Sequence, residues 1–355
     1  MSWRLSETKK AEAKRPAWRL SDAKYRVSKL VATLGRRRLG RVKLGRLKPF
    51  VGLITVFALA CVFSPARRGE IIFLDFGNLT DILRQVSEKG IIAVGMTFVI
   101  LAGGIDLSVG STLAFAATLS SVMLMRGGYG TPETVVTVLA AGLLVGAINA
   151  AVITKGRIQS FIVTLAMMSA ARGMARLVSG GSGVEIGYGD GGAPQSFASV
   201  GAKVGALAPV PALIFLATVA MAWVVLNKTR FGRYVHAVGS NETASRLSGV
   251  SVDWVKFGAF SICSLLAALA GIIHCAQLEQ GNPNDGVAYE LDAIAAVVIG
   301  GTPLSGGVGT VIGTLAGTLI IGIINNILGL NNVNANVQLL LKGVIIVGAV
   351  LLQRK

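Results

Sequence analysis

Two glycine-rich stretches interrupt apolar sequence and hold the polar side chains whose chemistry is easiest to interpret. Residues 103–110 read Gly-Gly-Ile-Asp-Leu-Ser-Val-Gly, and residues 300–307 read Gly-Gly-Thr-Pro-Leu-Ser-Gly-Gly. Non-helical backbone is tolerated inside a bilayer only where it is buried in protein or lines a water-filled cavity. Two such breaks at corresponding positions are typical of membrane transporters built from internal repeats. The sequence therefore predicts that the breaks line a transport path, through Gly103, Gly104, Asp106, Ser108, Gly300, Gly301 and Ser305.

Asp106 is the acidic side chain of the first break, and three roles remain open for it. Its carboxylate, or the hydroxyl of Ser108, can cap the exposed N–H groups of the following helix, and Ser305 is the corresponding candidate in the second break. Because a charge at membrane depth is costly and usually functional, Asp106 is also a candidate for contact with the solute. The third role is an ion pair with a cation such as Lys342. Pro303 replaces the acid in the second copy, so the shared feature is the backbone break with its Leu-Ser pair.

Four amide side chains in or beside apolar segments are further candidates for contact with a solute: Asn149, Gln277, Asn325 and Asn326. Each of them either faces a cavity enclosed by two halves of the chain or bridges two helices. The sequence Gly-Ala-Ile-Asn at 146–149 resembles Gly-Ile-Ile-Asn at 322–325, in the same order as the longer repeat. This second similarity favours two related halves.

The elements that position these side chains are predicted to be membrane helices. The chain of 355 residues is 53% hydrophobic and 14% charged, with a mean hydropathy of +0.67, whereas about a quarter of a soluble domain is charged. A span needs about 20 apolar residues. The predicted fold is all-α and polytopic, with about ten transmembrane helices near 49–65, 85–102, 108–126, 134–153, 159–178, 207–226, 255–275, 289–301, 308–329 and 336–352. If the two segments that lead into the breaks dip in and return, eight full spans and two re-entrant segments remain. The stretch from Ser179 to Ala206 is predicted to be an external loop.

Charge predicts the domain boundary and the orientation. Residues 1–48 hold 16 of the 34 lysines and arginines and only three acids, and positive segments stay on the cytoplasmic side of a membrane. A basic tail can also bind nucleic acid, but no nucleic-acid-binding fold accompanies this one. We therefore predict a cytoplasmic tail, residues 1–48, a transmembrane domain, residues 49–355, and two cytoplasmic termini. The tail itself either lies on anionic lipid or is simply solvated.

The polar stretch 227–254 is predicted to be a cytoplasmic loop that contains one short helix. Ser240 or Asn241 is placed to cap it, Glu242 supplies an acid in the first turn, and Gly249 is placed to end it after about two turns. The helix either docks a cytoplasmic partner or belongs to a plain structured loop, and His236 is expected to satisfy hydrogen bonds of the loop. The residues assigned to this element are Gly239, Asn241, Glu242, Ala244, Arg246, Leu247 and Gly249.

Catalytic chemistry is not expected of this chain. It lacks the Gly-x-x-x-x-Gly-Lys-Ser/Thr loop that binds nucleotide phosphates, so it cannot hydrolyse ATP by that route. Its two histidines, His236 and His274, have no catalytic partners in a recognisable arrangement, and the cysteines show no metal-ligand spacing. We therefore predict no cofactor, no metal site and no enzymatic activity.

Four segments together resemble the membrane permeases of ribose-type ATP-binding cassette importers: 95–111, 155–168, 229–250 and 289–307. The resemblance runs from about Lys48 to the end of the chain, in order and without a large gap. It implies a homodimeric channel in the bacterial inner membrane, which moves a monosaccharide or similar polyol by alternating access. It also implies two partners, a periplasmic sugar-binding protein and a cytoplasmic ATPase with two tandem cassettes.

The resemblance assigns a role to one loop and leaves another open. The stretch from Gly239 to Gly249 is similar to the family's coupling loop, which is seated in the ATPase. Glu279, Asp285 and Glu290, around the external connection 276–288, either dock the binding protein or are solvated. The alternative function is an ion-coupled secondary transporter, for which the candidate coupling groups are Asp106, Lys342 and Asp292.

Overall fold

The computed structural model describes residues 49–67, 70–189, 191–204 and 208–353. The predictions for the basic tail lie outside these ranges. The described helices are α1 Pro49–Phe63, α2 Phe76–Leu101, α3 Val109–Met125, α4 Thr131–Gly156, α5 Ser160–Ser179, α6 Gln195–Gly201, α7 Val210–Lys228, α8 Arg230–Ser240, α9 Glu242–Leu247, α10 Val252–Leu278, α11 Tyr289–Ile299, α12 Val311–Leu330 and α13 Ala335–Gln353. The predicted all-α polytopic fold is confirmed.

Short strands and one 3-10 turn connect some of these helices. The strands pair antiparallel as β1 Ala66–Arg67 with β2 Glu70–Ile71, β3 Val184–Glu185 with β6 Gln280–Gly281, and β4 Lys203–Val204 with β5 Ala208–Pro209. A 3-10 turn at Ile72–Leu74 leads into α2. Because each strand has only two residues, the helices carry the fold.

Five described helices are long and apolar enough to cross a bilayer by themselves: α4, α5, α7, α10 and α12. Among these five, α10 lies deepest in the protein, with 83% of its most apolar stretch buried. It packs against α2, α3 and α4. Helices α2, α3 and α4, which all precede α10 in sequence, therefore pack around a central apolar helix.

The two segments that lead into the glycine breaks differ from each other. The first, predicted at 85–102, is the 26-residue helix α2, which at 1.5 Å per residue is about 39 Å long and is not re-entrant. The second, predicted as the span 289–301, is the 11-residue helix α11, about 16 Å long and too short to cross a bilayer alone. A helix in the predicted segment 289–301 is therefore confirmed, and its length fits the re-entrant alternative better than a full span.

The helix bundle has two ends, which hydrogen bonds between distant segments define. At one end, which we call the α9 end, Gly307 N donates to Leu101 O, and His236 contacts Gly307. At the opposite end, the side chains of Asn78 and Asn326 join α2 to α12. It follows that α2 and α12 run the whole length of the bundle, in opposite directions.

Two helices lie within segments that were predicted as loops. Helix α8 precedes α9, and its residues Gly232, Val235 and Val238 are buried at helical spacing. Its N-cap is Thr229, whose hydroxyl accepts from Gly232 N. Helix α6 lies in the connection predicted as the external loop 179–206. Few residues of either helix are buried. Both segments are therefore polar in composition, and hydropathy alone does not predict helices there.

Candidate functional site

The first glycine break begins with a turn that ends α2. Gly103 takes a left-handed conformation, with φ of 81°, which a residue with a side chain adopts only at a cost. Gly103 N and Gly104 N donate to Ile100 O and Val99 O. These two bonds satisfy carbonyl groups of the last helical turn, as expected where a glycine ends a helix.

Asp106 is fully buried and holds the turn that leads into α3. Its Oδ1 accepts hydrogen bonds from Ser108 N at 2.9 Å and Ser108 Oγ at 2.6 Å. Asn149 Nδ2 on α4 donates to Ser108 Oγ at 3.1 Å. These bonds favour the structural role for Asp106 among the three that the sequence leaves open. Asp106 binds the turn itself, and Ser108, directly before α3, makes no side-chain cap of the helix.

The second break ends its helix with the same pair of bonds, but one residue later than the sequence repeat indicates. Gly301 is left-handed, with φ of 90°, and the N–H groups of Gly301 and Thr302 donate to Val298 O and Val297 O. Gly301 is therefore the structural counterpart of Gly103, whereas the repeated sequence aligns Gly103 with Gly300. The sequence repeat therefore predicts where the two breaks lie, but it aligns their residues one position out of register.

Ser305 does not cap the helix that follows the second break. Helix α12 begins at Val311, and the hydroxyl of Thr310 caps it by accepting from Gly313 N at 3.0 Å. The second break spans residues 300–310, whereas the first spans 102–108. The extra residues place the second Leu-Ser pair inside the break instead of at the start of the helix.

The shorter sequence similarity, 146–149 with 322–325, does not mark equivalent helices. Asn149 lies on α4, the second helix after its break, and Asn325 lies on α12, the first helix after its break. Gly146 packs on the α10 backbone, and Gly322 packs on Val86 of α2. The glycine breaks are thus the feature of the sequence repeat that recurs in the structure.

Both breaks meet α8 at one place, which we call the break junction: Leu101, Gly239 and Gly307. Gly307 N donates to Leu101 O at 3.0 Å, and His236 Nδ1 lies 3.1 Å from Gly307 O. A Cβ atom on Gly239 would overlap Leu101 O and would lie 2.6 Å from Gly307 N. The end of α8 therefore packs on both breaks with no room for a side chain at Gly239.

Helix α9 follows the break junction directly, and its predicted cap is confirmed for Asn241. Asn241 Oδ1 accepts from Ala244 N at 2.8 Å, whereas Ser240 belongs to α8 and donates to His236 O. Gly249, with φ of 81°, takes the left-handed conformation just after the helix. Helix α9 has six residues, Glu242–Leu247, slightly fewer than two turns.

Ion pairs tie α9 to the start of α10. Glu242 Oε2 lies 2.7 Å from Lys256 Nζ, and Arg246 Nη2 lies 2.9 Å from Asp253 Oδ1. The hydrogen bond to Asp253 raises the pKa of the Arg246 guanidinium above its ordinary value. Helix α9 is therefore connected to α10 by ion pairs as well as to α8 by the chain itself.

The outer face of α9 is open. Ala244 and Leu247, predicted to share a face, are both exposed, Leu247 to 85%. Ser245 is the buried residue of the helix. Helix α9 also borders a cleft of about 940 Å³, whose wall includes Gly103 and Gly104 of the first break. The helix thus offers a free apolar residue outward and contacts the break region inward.

A second, smaller cavity of about 260 Å³ lies among α2, α10, α11 and α12, and we call it the polar cavity. Two of the four predicted amides, Gln277 and Asn325, line it. Asn149 lies elsewhere, against Ser108, and Asn326 pairs with Asn78 at 2.8 and 3.2 Å. The structure therefore brings two of the amide candidates together and places the other two in contacts between helices or with the break.

The sequence analysis did not single out Glu88 and Lys89 in the wall of the polar cavity, and it gave His274 no partner. His274 Nδ1 lies 2.8 Å from Glu88 Oε2, and Lys89 Nζ lies 2.7 Å from Asp292 Oδ2. His274 Nε2 also lies 3.2 Å from Asp285 Oδ2. The available signal was the adjacent acid and base at 88–89, beside a long apolar stretch, since such charges are rare in a membrane unless they are paired.

The external acids are not equivalent. Asp285 contacts buried His274, and Arg172 Nη1 donates to Asp285 O at 2.6 Å, so this residue belongs to an internal network. Glu290 lies in the first turn of α11 and is half-buried, and Glu279 is exposed. Docking of a binding protein by the three acids stays a prediction, with Glu279 the most accessible of them.

Two of the groups proposed for ion coupling have different partners. Asp106 is bound to Ser108, and Asp292 pairs with Lys89. The side chain of Lys342 lies outside the described part of the structure. Within that part, no group of three or more His, Cys, Asp or Glu side chains is arranged to hold a metal ion.

Comparison with known proteins gives one family and many relatives. The family described as branched-chain amino acid transport system / permease component matches residues 78–350. The ribose import permease protein RbsC of Escherichia coli K12 is 42% identical over 90% of this chain and 97% of its own length. RbsC of Bacillus subtilis 168 is 43% identical over 87% and 93%, and the xylose transport system permease protein XylH of Escherichia coli K12 is 32% identical over 86% and 91%. No solved structure is significantly similar to the chain.

Proposed function

Since this chain belongs to the family of branched-chain amino acid transport system permease components, we infer that it is the membrane-spanning channel subunit of an ATP-driven importer. The solute class follows from the relatives, whose names specify ribose, L-arabinose and xylose. The observation that carries the inference is the 42% identity to a ribose import permease over 90% of this chain. The solute is therefore a monosaccharide, and the location is the inner membrane.

Its partners follow from this function. ATP is hydrolysed by a separate cytoplasmic ATPase subunit with two tandem cassettes, since this chain has no phosphate-binding loop. A periplasmic binding protein delivers the sugar at the opposite end of the bundle, and a second copy of the chain completes the channel. The α9 end faces the cytoplasm, because positive residues follow α4 and α7 at that end.

Helix α9 is the element that the ATPase moves. Its open face presents Leu247 to a partner, while Asn241 connects it without a linker to α8 and the break junction. When the cassettes close, a displacement of α9 reaches Gly239 and changes the contact that holds the two breaks together. The breaks then act as hinges about which α2, α3, α11 and α12 rearrange, and this alternates access to the path.

Deletion of the gene in its own host should abolish high-affinity uptake of the sugar. The energy source of uptake distinguishes an ATP-driven importer from an ion-coupled secondary transporter. Labelled ribose, L-arabinose and xylose are the probes in a deletion strain complemented with the chain. We expect uptake to stop when ATP is depleted and to persist when the ion gradients are dissipated. Uptake that continues without ATP but collapses with an ion gradient would identify a secondary transporter.

A double variant tests the role of α9. We expect Glu242→Ala with Gly249→Ala to uncouple sugar uptake from ATP hydrolysis while the inserted amount of protein stays normal. The substitutions remove the ion pairs of Glu242 with Lys256 and Arg246, and they strain the left-handed conformation at position 249 by about 1–2 kcal/mol. The measurements are uptake, sugar-stimulated ATP hydrolysis and co-purification of the ATPase with the detergent-solubilised subunit.

The matched control makes the same two changes at the opposite end. Glu133 lies in the first turn of α4, and Gly128 is left-handed with open space around it. Glu133→Ala with Gly128→Ala should leave co-purification of the ATPase intact. If the α9 variant retains normal uptake and normal stimulation of ATP hydrolysis, α9 is not the docking element.

A further inference from the structure

We propose that the polar cavity is a binding subsite for a neutral polyhydroxylated solute within a single subunit, with the amides of Gln277 and Asn325 as its hydrogen-bonding groups. The inference rests on the proposed function and names a place on the transport path. The cavity measures about 260 Å³ and is lined by side chains of α2, α10, α11 and α12. Three of these helices, α2, α11 and α12, begin or end at a glycine break.

The depth of the cavity suits a transport site. Lys89 lies near the middle of α2, and Asn325 lies on the outer half of α12, away from the α9 end. Both helices run the length of the bundle, so the cavity lies between the membrane centre and the end that receives the sugar. Substrate sites of membrane transporters commonly lie near the bilayer midplane, where discontinuous helices meet.

Charge in the cavity wall is balanced internally. Glu88 pairs with His274, and Lys89 pairs with Asp292. Lys89 Nζ also lies 4.7 Å from the centre of the Tyr289 ring. Because each cation already contacts an anion, the cavity does not demand a charged ligand. A cation or an anion entering it would have to displace one of these pairs, which are 2.7 and 2.8 Å long.

Two amide atoms of cavity-lining residues lack hydrogen-bond partners among the described residues. They are Gln277 Nε2, a donor, and Asn325 Oδ1, an acceptor, and both are buried. Buried polar atoms are nearly always paired, so unpaired ones require an explanation. A hydroxyl group both donates and accepts, and a sugar carries several. A sugar therefore carries both kinds of partner that these two atoms lack.

Single substitutions test the subsite without removing charge. We expect Asn325→Leu and Gln277→Leu each to raise the KM for uptake about tenfold, equivalent to one lost hydrogen bond of about 1.4 kcal/mol. The discrimination among ribose, L-arabinose and xylose should change as well. Membrane insertion and co-purification with the ATPase should stay normal, because neither residue lies on α8 or α9, and this shows that the variants are folded.

The matched control is the adjacent asparagine on the same helix. Asn326 pairs with Asn78 and does not line the cavity, so Asn326→Leu should lower thermal stability and leave sugar discrimination unchanged. Saturation-transfer NMR with D-ribose and the purified subunit gives a second readout, with a signal expected for the natural chain and lost in Asn325→Leu.

The outcomes separate this inference from the proposed function. If the natural chain supports ATP-driven uptake while KM, discrimination and the NMR signal are unaffected in both variants, the amides bind water or bridge helices and the subsite is refuted. If the natural chain transports none of the three sugars, the proposed function fails first. Changed discrimination in the two cavity variants, but not in Asn326→Leu, supports the subsite.

Discussion

Gly239→Ala is expected to reduce ATP-driven uptake by one to two orders of magnitude while the protein remains in the membrane. The added methyl group would overlap Leu101 O and lie 2.6 Å from Gly307 N. Both obstacles are backbone atoms, which cannot rotate away, so α8 must withdraw from the two breaks. Overpacking of this kind costs about 1–3 kcal/mol, and the same free energy corresponds to a 5- to 150-fold change in coupling between two sites.

The measurement compares uptake with ATP hydrolysis in the complex purified from the host. We expect hydrolysis to continue and its stimulation by the sugar to disappear, because α9 still binds the ATPase but no longer moves the breaks. Gly173→Ala is the matched control, since Gly173 is also a helical glycine and a Cβ there meets nothing within 4 Å. Normal, sugar-stimulated uptake in Gly239→Ala would show that the break junction does not transmit the motion of α9.

Among the single substitutions that we predict, His274→Ala should lower the free energy of unfolding most. His274 lies between Glu88 at 2.8 Å and Asp285 at 3.2 Å, so its removal leaves two carboxylates facing each other in a largely buried site. Breaking a buried ion pair by deleting one partner costs about 3–5 kcal/mol. The expected result is a large fall in the thermal unfolding temperature of the detergent-solubilised protein.

The other histidine provides the control. His236 is partly exposed, and its recorded contact is a hydrogen bond to Gly307 O, so His236→Ala should cost only about 1 kcal/mol. Adding Glu88→Gln to His274→Ala should restore part of the lost stability, because one of the two facing charges is gone. Equal unfolding temperatures for the two single histidine variants would contradict the buried network.

Local sequence patterns predicted the features that depend on neighbouring residues. Asn241 caps α9, and Gly249 lies just beyond its end, because capping involves groups only two or three residues away. The two glycine breaks could be predicted because a glycine pair interrupts apolar sequence in each of them. The register of the second break was not predictable. Gly301 takes the left-handed conformation, while Gly300 packs on Gly313 of α12, a contact that the glycine pair itself does not reveal.

By itself the sequence determined the class of this protein: an apolar, all-α membrane permease with two backbone breaks and a short helix in its largest polar loop. Hydropathy and helix capping depend on residues that are close together in sequence, so both can be predicted from the sequence alone. Only the tertiary structure decided which polar groups meet. Lys89 and Asp292 are 203 positions apart, and Glu88 and His274 are 186 apart, and such pairs form only when packing brings separate helices together. The same packing brings Gly239 against both breaks, where there is no room for a Cβ atom.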